Sequence, residues 1–553
     1  MSGYGERFRQ AGYILPKALI PIEGKPMIAH VIDMFPGEKD FIFICNKEHL
    51  NNVDYGMEAT IKKYCPTARV VGINPHKLGP VHAVLEVKSL LSPDSPAVVN
   101  YCDFSCYWDW DHFKKFIKTS RCIGALPAYK DFHPHSLGST NYAYIKHVNG
   151  WLEDIKEKES FTENRMEEFA SSGTYYFLTA RIMIEAFQEI VDKQINVGGE
   201  YYVSLAYKPL LEKKCSVAVY PLQHFMQWGT PEDLHDYQMW SATFRKLIIE
   251  KKSHIKPKGS IIVPMAGMGK RFSDEGCTLP KPLIKVSGLP MAIQSVNCLP
   301  LAEKYVFILR SEMLDFNKIS ETLKKKFPNS IVHSIEGNTD GQARTTMIGL
   351  DFLCANNSII EEPITIGVCD SGVVFDETVL NEITKDNDVD VLVWGIRNFS
   401  NAKRNPNMYA WIDLDDKGVI KKVAVKKPLS NLSSDPIVLG IFTFKNIEKL
   451  HASLEKLFAR SGKVNGEFYL DSCINDAIEM GLTCKLFEVE DYLCWGTPND
   501  LKIFEYWQSC FHKWKTHPYQ IEKDKLVPKM SINELIARYA EIKPALVSPR
   551  EPE

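Results

Sequence analysis

A backbone loop rich in glycine, an arginine just beyond it and a lysine ten residues further on form a set suited to holding a polyanion. This chain carries that set twice. It reads SGYGERFRQAGYILPKALIPIEGKPM from Ser2 to Met27 and AGMGKRFSDEGCTLPKPLIKVSGLPM from Ala266 to Met291. Gly3, Gly5, Arg7 and Lys17 recur as Gly267, Gly269, Arg271 and Lys281, at a constant offset of 264 residues. Glycines let backbone N–H groups approach phosphate oxygens closely. Arginine holds phosphate in a bidentate fork, and lysine supplies a compact charge beside a reacting phosphoryl group. No GK[ST] follows the loop and the third glycine of a dinucleotide fingerprint is missing, so neither a Walker loop nor a dinucleotide fold is indicated. The set fits a triphosphate.

The elements that must position these residues repeat as well. Asp103 in VVNYCDF answers Asp370 in ITIGVCD. Tyr142–Ile145 answers Tyr409–Ile412, and Gly199-Glu200 answers Gly466-Glu467. WGTPEDL from Trp228 answers WGTPNDL from Trp495. A period this long means whole domains, not a solenoid or propeller. The expected organisation is a first domain over 1–250, a basic, Pro/Gly-punctuated linker over 251–260, a second domain over 261–505 and a helical tail over 506–553 with a disordered end. Short Val/Ile/Phe runs alternate with helical patterns in each domain. That alternation predicts an α/β class with a mainly parallel mixed sheet flanked by helices, and ligands at the carboxyl ends of its strands. Met1 aligns with Met265, which follows the β-rich run Ile261 to Val263, so the first domain lacks its opening strand. An N-terminally clipped sequence is the expected reason, with a reduced domain as the alternative. The aromatic run from Tyr101 to Phe116 reads as a helix packed on a sheet edge.

Composition narrows the class of protein. With 553 residues, 45% hydrophobic and 24% charged, the chain has the make-up of an ordinary multi-domain globular protein. A net charge of −3 argues against nucleic acid as a partner. The 14 cysteines form no CxxC pair or zinc-spaced cluster, which predicts reduced thiols and a cytoplasmic location. No apolar stretch reaches the roughly 18 residues a membrane span needs. Assembly into a homo-oligomer is left open.

The GxGxRF…PKxLI…GxPM pattern resembles the sugar-phosphate nucleotidyltransferases, or nucleotide-sugar pyrophosphorylases, over both domains. The resemblance implies two tandem Rossmann-like (GT-A-like) domains. It implies that Gly3, Gly5, Gly267 and Gly269 with Arg7 and Arg271 bind a nucleoside triphosphate, while Lys17 and Lys281 contact its α-phosphate. Asp103 and Asp370 are then the Mg²⁺ ligands, a hard cation suiting carboxylate and phosphate oxygens. The segments at Gly79 and Gly341 contact the nucleobase, Lys158 and Lys426 the acceptor phosphate, and Glu200 and Glu467 its other polar groups. The pattern breaks where relatives carry WLDxGT: Gln227 and Cys494 stand where a second metal-binding aspartate is usual. Asp233 and Asp500 nearby read as helix-start residues. The WGTPxDL form resembles a branch associated with capsule and surface polysaccharide genes, and favours CTP or UTP. The implied reaction is attack of an acceptor phosphate oxygen on the α-phosphorus, with release of pyrophosphate and no need of a general base. The competing readings are one catalytic domain beside a binding or regulatory module, and a glycosyltransferase of related fold, although neither YCDF nor VCDSG supplies a DxD motif.

Overall fold

The computed structural model describes residues 1–139, 141–249, 257–355 and 362–550. Residues 251–256 of the expected linker and 551–553 of the expected disordered end lie outside them. The chain folds into two compact units. The first comprises residues 1–244, 506–519 and 539–553; the second comprises 245–505 and 520–538. The C-terminal region is therefore shared between units in alternating pieces. It holds the end of a helix over Pro498–Lys513 and a short one over Ile532–Arg538.

In the first unit the glycine loop leads into helix α1 (Glu6–Gln10). Strands β1 (Ile42–Asn46) and β2 (Arg69–Ile73) pair in parallel as a sheet of their own, and helix α2 (Pro80–Glu86) follows. A second sheet uses β3 (Ala97–Asn100), β5 (Gly124–Tyr129), β6 (Ala143–Val148), β7 (Trp151–Glu157), β8 (Phe169–Ser171), β9 (Thr174–Phe177) and β10 (Val217–Leu222), in the order β8-β6-β7-β10-β5-β9-β3. Because β8 also pairs with β5, five of these strands close into a ring. Strand β4 (Phe104–Tyr107) pairs with β11 (His224–Gln227) as a separate ribbon. The aromatic run thus splits, with β4 taking its centre and a helix starting only at Trp110.

The second unit opens with β12 (Ser260–Pro264) and, past its glycine loop, helix α3 (Lys270–Asp274). Then come β13 (Lys304–Arg310), β14 (Ser330–Ile335), helix α4 (Gln342–Ala355), β15 (Ile364–Ile366) and β16 (Ser371–Val374). They are followed by β17 (Val391–Ile396), β18 (Ala410–Leu414), β19 (Ile420–Val425), β20 (Ile437–Phe444), β21 (Cys484–Glu488) and β22 (Asp491–Cys494). The main sheet runs β14-β13-β12-β15-β20-β17-β21, with the hairpin β18–β19 attached through β18 to β20, while β16 pairs with β22 as a ribbon. Strand β12 lies parallel to both β13 and β15. The run YVFIL in β13 is buried at every position, as a strand covered on both faces requires.

The α/β class stands, but the expectation of a mainly parallel sheet needs correction for the first unit. There β1–β2 and β5–β10 are parallel, and the other pairings of the large sheet are antiparallel. A parallel pair needs a long crossover, whereas a two-residue turn enforces antiparallel pairing. Asn149 and Gly150, both at positive φ, make that turn between β6 and β7. In the second unit the parallel pairing is confined to β14-β13-β12-β15 and to β17–β21; β20 enters antiparallel between β15 and β17.

The two units differ most at the place of β12. Among the described residues of the first unit no strand lies between β1 and β3, so its parallel pair is cut off from the rest of the sheet. Strand β3 is consequently an edge strand with Val98 36% exposed, while its counterpart β15 is buried along its whole length.

Candidate functional site

Each glycine loop delivers its lysine to an aspartate. In the first unit Lys17 Nζ donates to Asp103 Oδ2 at 2.5 Å and to the Gly229 carbonyl at 2.7 Å. In the second, Lys281 Nζ donates to Asp370 Oδ2 at 2.6 Å and to the Gly496 carbonyl at 2.9 Å. Local structure fixes this clamp. The lysine starts a short 3-10 turn, Lys17–Leu19 or Lys281–Leu283, after an extended proline. Its ammonium lies over the Phe8 ring at 5.2 Å or the Phe272 ring at 5.7 Å. The aspartate follows β3 or β15 and opens the ribbon with β11 or β22; its carbonyl accepts from Trp228 N–H or Trp495 N–H, each at 3.0 Å. Burial works against the charge on Lys281, but Asp370 beside it, together with Cys369 and Cys494, more than offsets this, so the ammonium is held above its ordinary pKa.

The glycines of the loops divide into two kinds. A Cβ on Gly3, Gly5 or Gly267 would meet nothing within 4 Å, so the backbone there faces open space. Gly5 and Gly269 both take the left-handed conformation at φ 64, which favours glycine. A Cβ on Gly269 would stand 3.2 Å from Lys281 Cβ, so this glycine lies directly against the lysine. Arg7 and Arg271 are exposed and form no ion pair among the described residues. The charge of Arg7 reaches Tyr202, and that of Arg271 reaches Tyr409.

The residues assigned to the acceptor form a separate group in each unit. Lys158, at positive φ, donates to Tyr202 Oη at 2.6 Å and lies 4.0 Å from Glu200, to which the same tyrosine donates. Lys426, also at positive φ, lies over the Tyr469 ring at 4.7 Å, two residues beyond Glu467. Gly79 and Gly341 have a structural reason to be glycine. Tyr201 N–H donates to Leu78 O and Val81 N–H to Tyr201 O. In the second unit Phe468 N–H donates to Asp340 O and Ala343 N–H to Phe468 O. A Cβ on Gly79 would come within 2.7 Å of Tyr201 N, and one on Gly341 within 2.6 Å of Phe468 N. These glycines hold the backbone next to Glu200 and Glu467 against a helix start.

Sequence reasoning missed several members of these groups. Glu157, beside Lys158, accepts from Ser204 Oγ at 2.5 Å; burial pushes its carboxyl up to about 7. Burial likewise raises Asp471 to about 6, against the pull of the Lys426 charge. The E-K dipeptide at Glu157 was the available signal. Asp471 gave none, because it stands where the first unit has serine. The Gly229 and Gly496 carbonyls were also missed, since their role is carried by backbone.

The donor set permits one hard cation per unit, with Asp103 or Asp370 as its protein carboxylate. The lysine ammonium already sits against that oxygen as a cation in its own right. Glycine at 229 and at 496 lets the backbone pass close to each carboxylate. A Cβ on Gly229 would lie 3.5 Å from Asp103 Oδ2 and against the Gln227 amide, and one on Gly496 would lie 3.3 Å from Asp370 Oδ2 and 3.8 Å from Cys494 Sγ. No group of three or more His, Cys, Asp or Glu able to hold a metal occurs among the described residues. A cation held there would draw most of its oxygen ligands from outside the protein. Asp233 and Asp500 are used otherwise. Thr230 Oγ1 donates to Asp233 at 2.7 Å and Thr497 Oγ1 to Asp500 at 2.6 Å, and each aspartate N–H returns a bond to its threonine. These are reciprocal helix caps.

The model of the nucleotidyl transferase family matches residues 1–226. The bifunctional protein GlmU of Shouchella clausii is 26% identical over 253 residues, covering 45% of this chain and 52% of that protein. GlmU of Bacillus licheniformis is 24% identical over 231 residues, covering 41% and 47%. The chain thus spans about half the length of the curated relatives it matches. Among solved structures, the nucleoside-diphosphate-sugar pyrophosphorylase of Vibrio cholerae RC9 is 22% identical over 44% of this chain and 98% of its own, with a TM-score of 0.37. Among the described residues no helix is long and apolar enough to cross a membrane. Residues 1–226 thus match the nucleotidyl transferase family, and the second half of the chain repeats the glycine-loop residues of that stretch.

Proposed function

We propose that the chain transfers a nucleotidyl group from a nucleoside triphosphate to a small phosphorylated acceptor, releasing pyrophosphate, and that it does so at two sites. The observation that carries this reading is the lysine–aspartate–carbonyl clamp beside an open glycine loop, present in each unit. The exposed Arg7 or Arg271 and the open loop receive the triphosphate tail. Lys17 or Lys281 turns from its aspartate toward the α-phosphate as that negative charge arrives, leaving the carboxylate to a divalent cation. Asp103 or Asp370 would hold Mg²⁺, which would supply positive charge against the phosphates. Lys158 or Lys426 holds the acceptor phosphate, and Glu200 or Glu467 its polar groups. The acceptor phosphate is ionised at neutral pH and needs no general base, so the protein's part is positioning and charge compensation. The WGTPxDL resemblance makes CTP and UTP the first triphosphates to try, and an activated precursor of a surface polysaccharide the first product to look for. A cytoplasmic location suits such substrates.

The test is pyrophosphate release from a panel of triphosphates and phosphorylated acceptors, using Lys17→Met and Lys281→Met separately and together. Removing a charge aimed at the transition state is expected to cost its own unit about a hundredfold or more in kcat. The double variant is expected to be inactive. If both single variants and the double variant release pyrophosphate at the rate of the parent protein, the assignment is wrong; loss with only one single variant reduces the other unit to a binding module.

A further inference from the structure

The two acceptor groups share a lysine and a glutamate yet differ in where they keep one more carboxyl. In the first unit it is on the strand wall: Glu157, the last residue of β7 and the neighbour of Lys158, accepts from the buried Ser204. In the second unit the residue before Lys426 is Val425, the last of β19, so that wall is apolar. The carboxyl there comes from the helix wall. Asp471, four residues after Glu467, stands where the first unit has Ser204, four residues after Glu200. It is half-buried, forms no hydrogen bond or ion pair among the described residues, and has the Lys426 charge near it. A half-buried carboxyl without a protein partner, beside a lysine placed to hold a phosphate, is a group waiting for a hydrogen-bond donor.

Resting on the acceptor assignment above, we propose that the two units select phosphorylated polyhydroxylated acceptors by different hydroxyl groups. Glu157 reads a hydroxyl facing the strand wall in the first unit. Asp471 reads one facing the helix wall in the second, where Val425 leaves the strand side without a partner for any hydroxyl. One chain then serves two acceptors, or one acceptor in two orientations. A site built to bond a hydroxyl discriminates sharply against an analogue lacking it, because its own polar group is left unpaired.

The experiment uses the full chain with one lysine replaced at a time: Lys281→Met to isolate the first unit and Lys17→Met to isolate the second. Binding of hexose 1-phosphates, polyol phosphates and their monodeoxy analogues is followed by saturation-transfer NMR with a non-hydrolysable triphosphate present, so no turnover is needed. The expected result is that the hydroxyl whose removal weakens binding about tenfold or more differs between the two proteins. Glu157→Gln is expected to abolish that dependence in the first unit only, and Asp471→Asn in the second only, with triphosphate binding unchanged. Identical deoxy profiles in the two units, profiles untouched by Glu157→Gln and Asp471→Asn, or no binding of any compound in the panel overturns the proposal. Different profiles without pyrophosphate release would instead remove the transferase reading and leave the selectivity standing.

Discussion

Lys17 and Lys281 are held by aspartate and a glycine carbonyl before any ligand arrives. The clamp keeps a compensated positive charge beside the loop, and an arriving phosphate must draw it away from these two acceptors. The opposite economy applies at Glu157, which keeps a carboxyl where burial disfavours its charge. Its pKa is raised in the folded protein from 4.5 to about 7, so the folded state binds its proton more tightly than the unfolded chain. The stability this proton contributes is complete below about pH 4.5 and is lost as pH rises through about 7. Above that pH the ionised group costs on the order of 3 kcal/mol. Glu157→Gln is therefore expected to raise the melting temperature at pH 8 and to change it little at pH 4.5, as calorimetry at the two pH values will show. A shift of equal size at both pH values would mean that packing, not ionisation, sets the effect. At this scale the sequence revealed the paired lysines and aspartates through their exact recurrence. It concealed Asp471 because that residue has no identical counterpart, and it concealed the Gly229 and Gly496 carbonyls because backbone groups leave no mark on residue type.

Among the elements, the contrast between β12 and its empty place in the first unit has a measurable consequence. In the second unit Gly367 N–H donates to Ile262 O at 2.8 Å, tying β15 to the parallel strand beside it. Among the described residues strand β3 has no such neighbour and pairs with β9 alone. Backbone groups on an open edge exchange readily with solvent. Hydrogen exchange resolved by residue is expected to show Val98 and Asn100 exchanging at least tenfold faster than Thr365 and Gly367. Equal protection would show that the edge is covered in solution. Alternating hydrophobic runs gave the strands and their order along the chain. They did not give the direction of pairing, which hairpins such as Asn149-Gly150 and the closure of β8 onto β5 decide.

For the molecule as a whole, the proposed function at both clamps predicts two triphosphates per chain. Isothermal titration with the preferred triphosphate is expected to give a stoichiometry of two, falling to one in Lys17→Met and in Lys281→Met. A stoichiometry of one in the parent protein would assign one unit a role other than nucleotide binding. What the sequence alone determined is the recurrence of the loop residues at one offset, and with it the resemblance on which the proposed chemistry rests, because these depend on residue types at fixed separations along one backbone. What only the tertiary structure decided is which groups meet across long separations: a lysine with an aspartate 86 or 89 residues away, a glycine pressed on a helix start, and a carboxyl carried on opposite walls of otherwise matching sites. The physical reason is that burial and partnership belong to the space around a side chain, and that space is filled by segments distant in sequence.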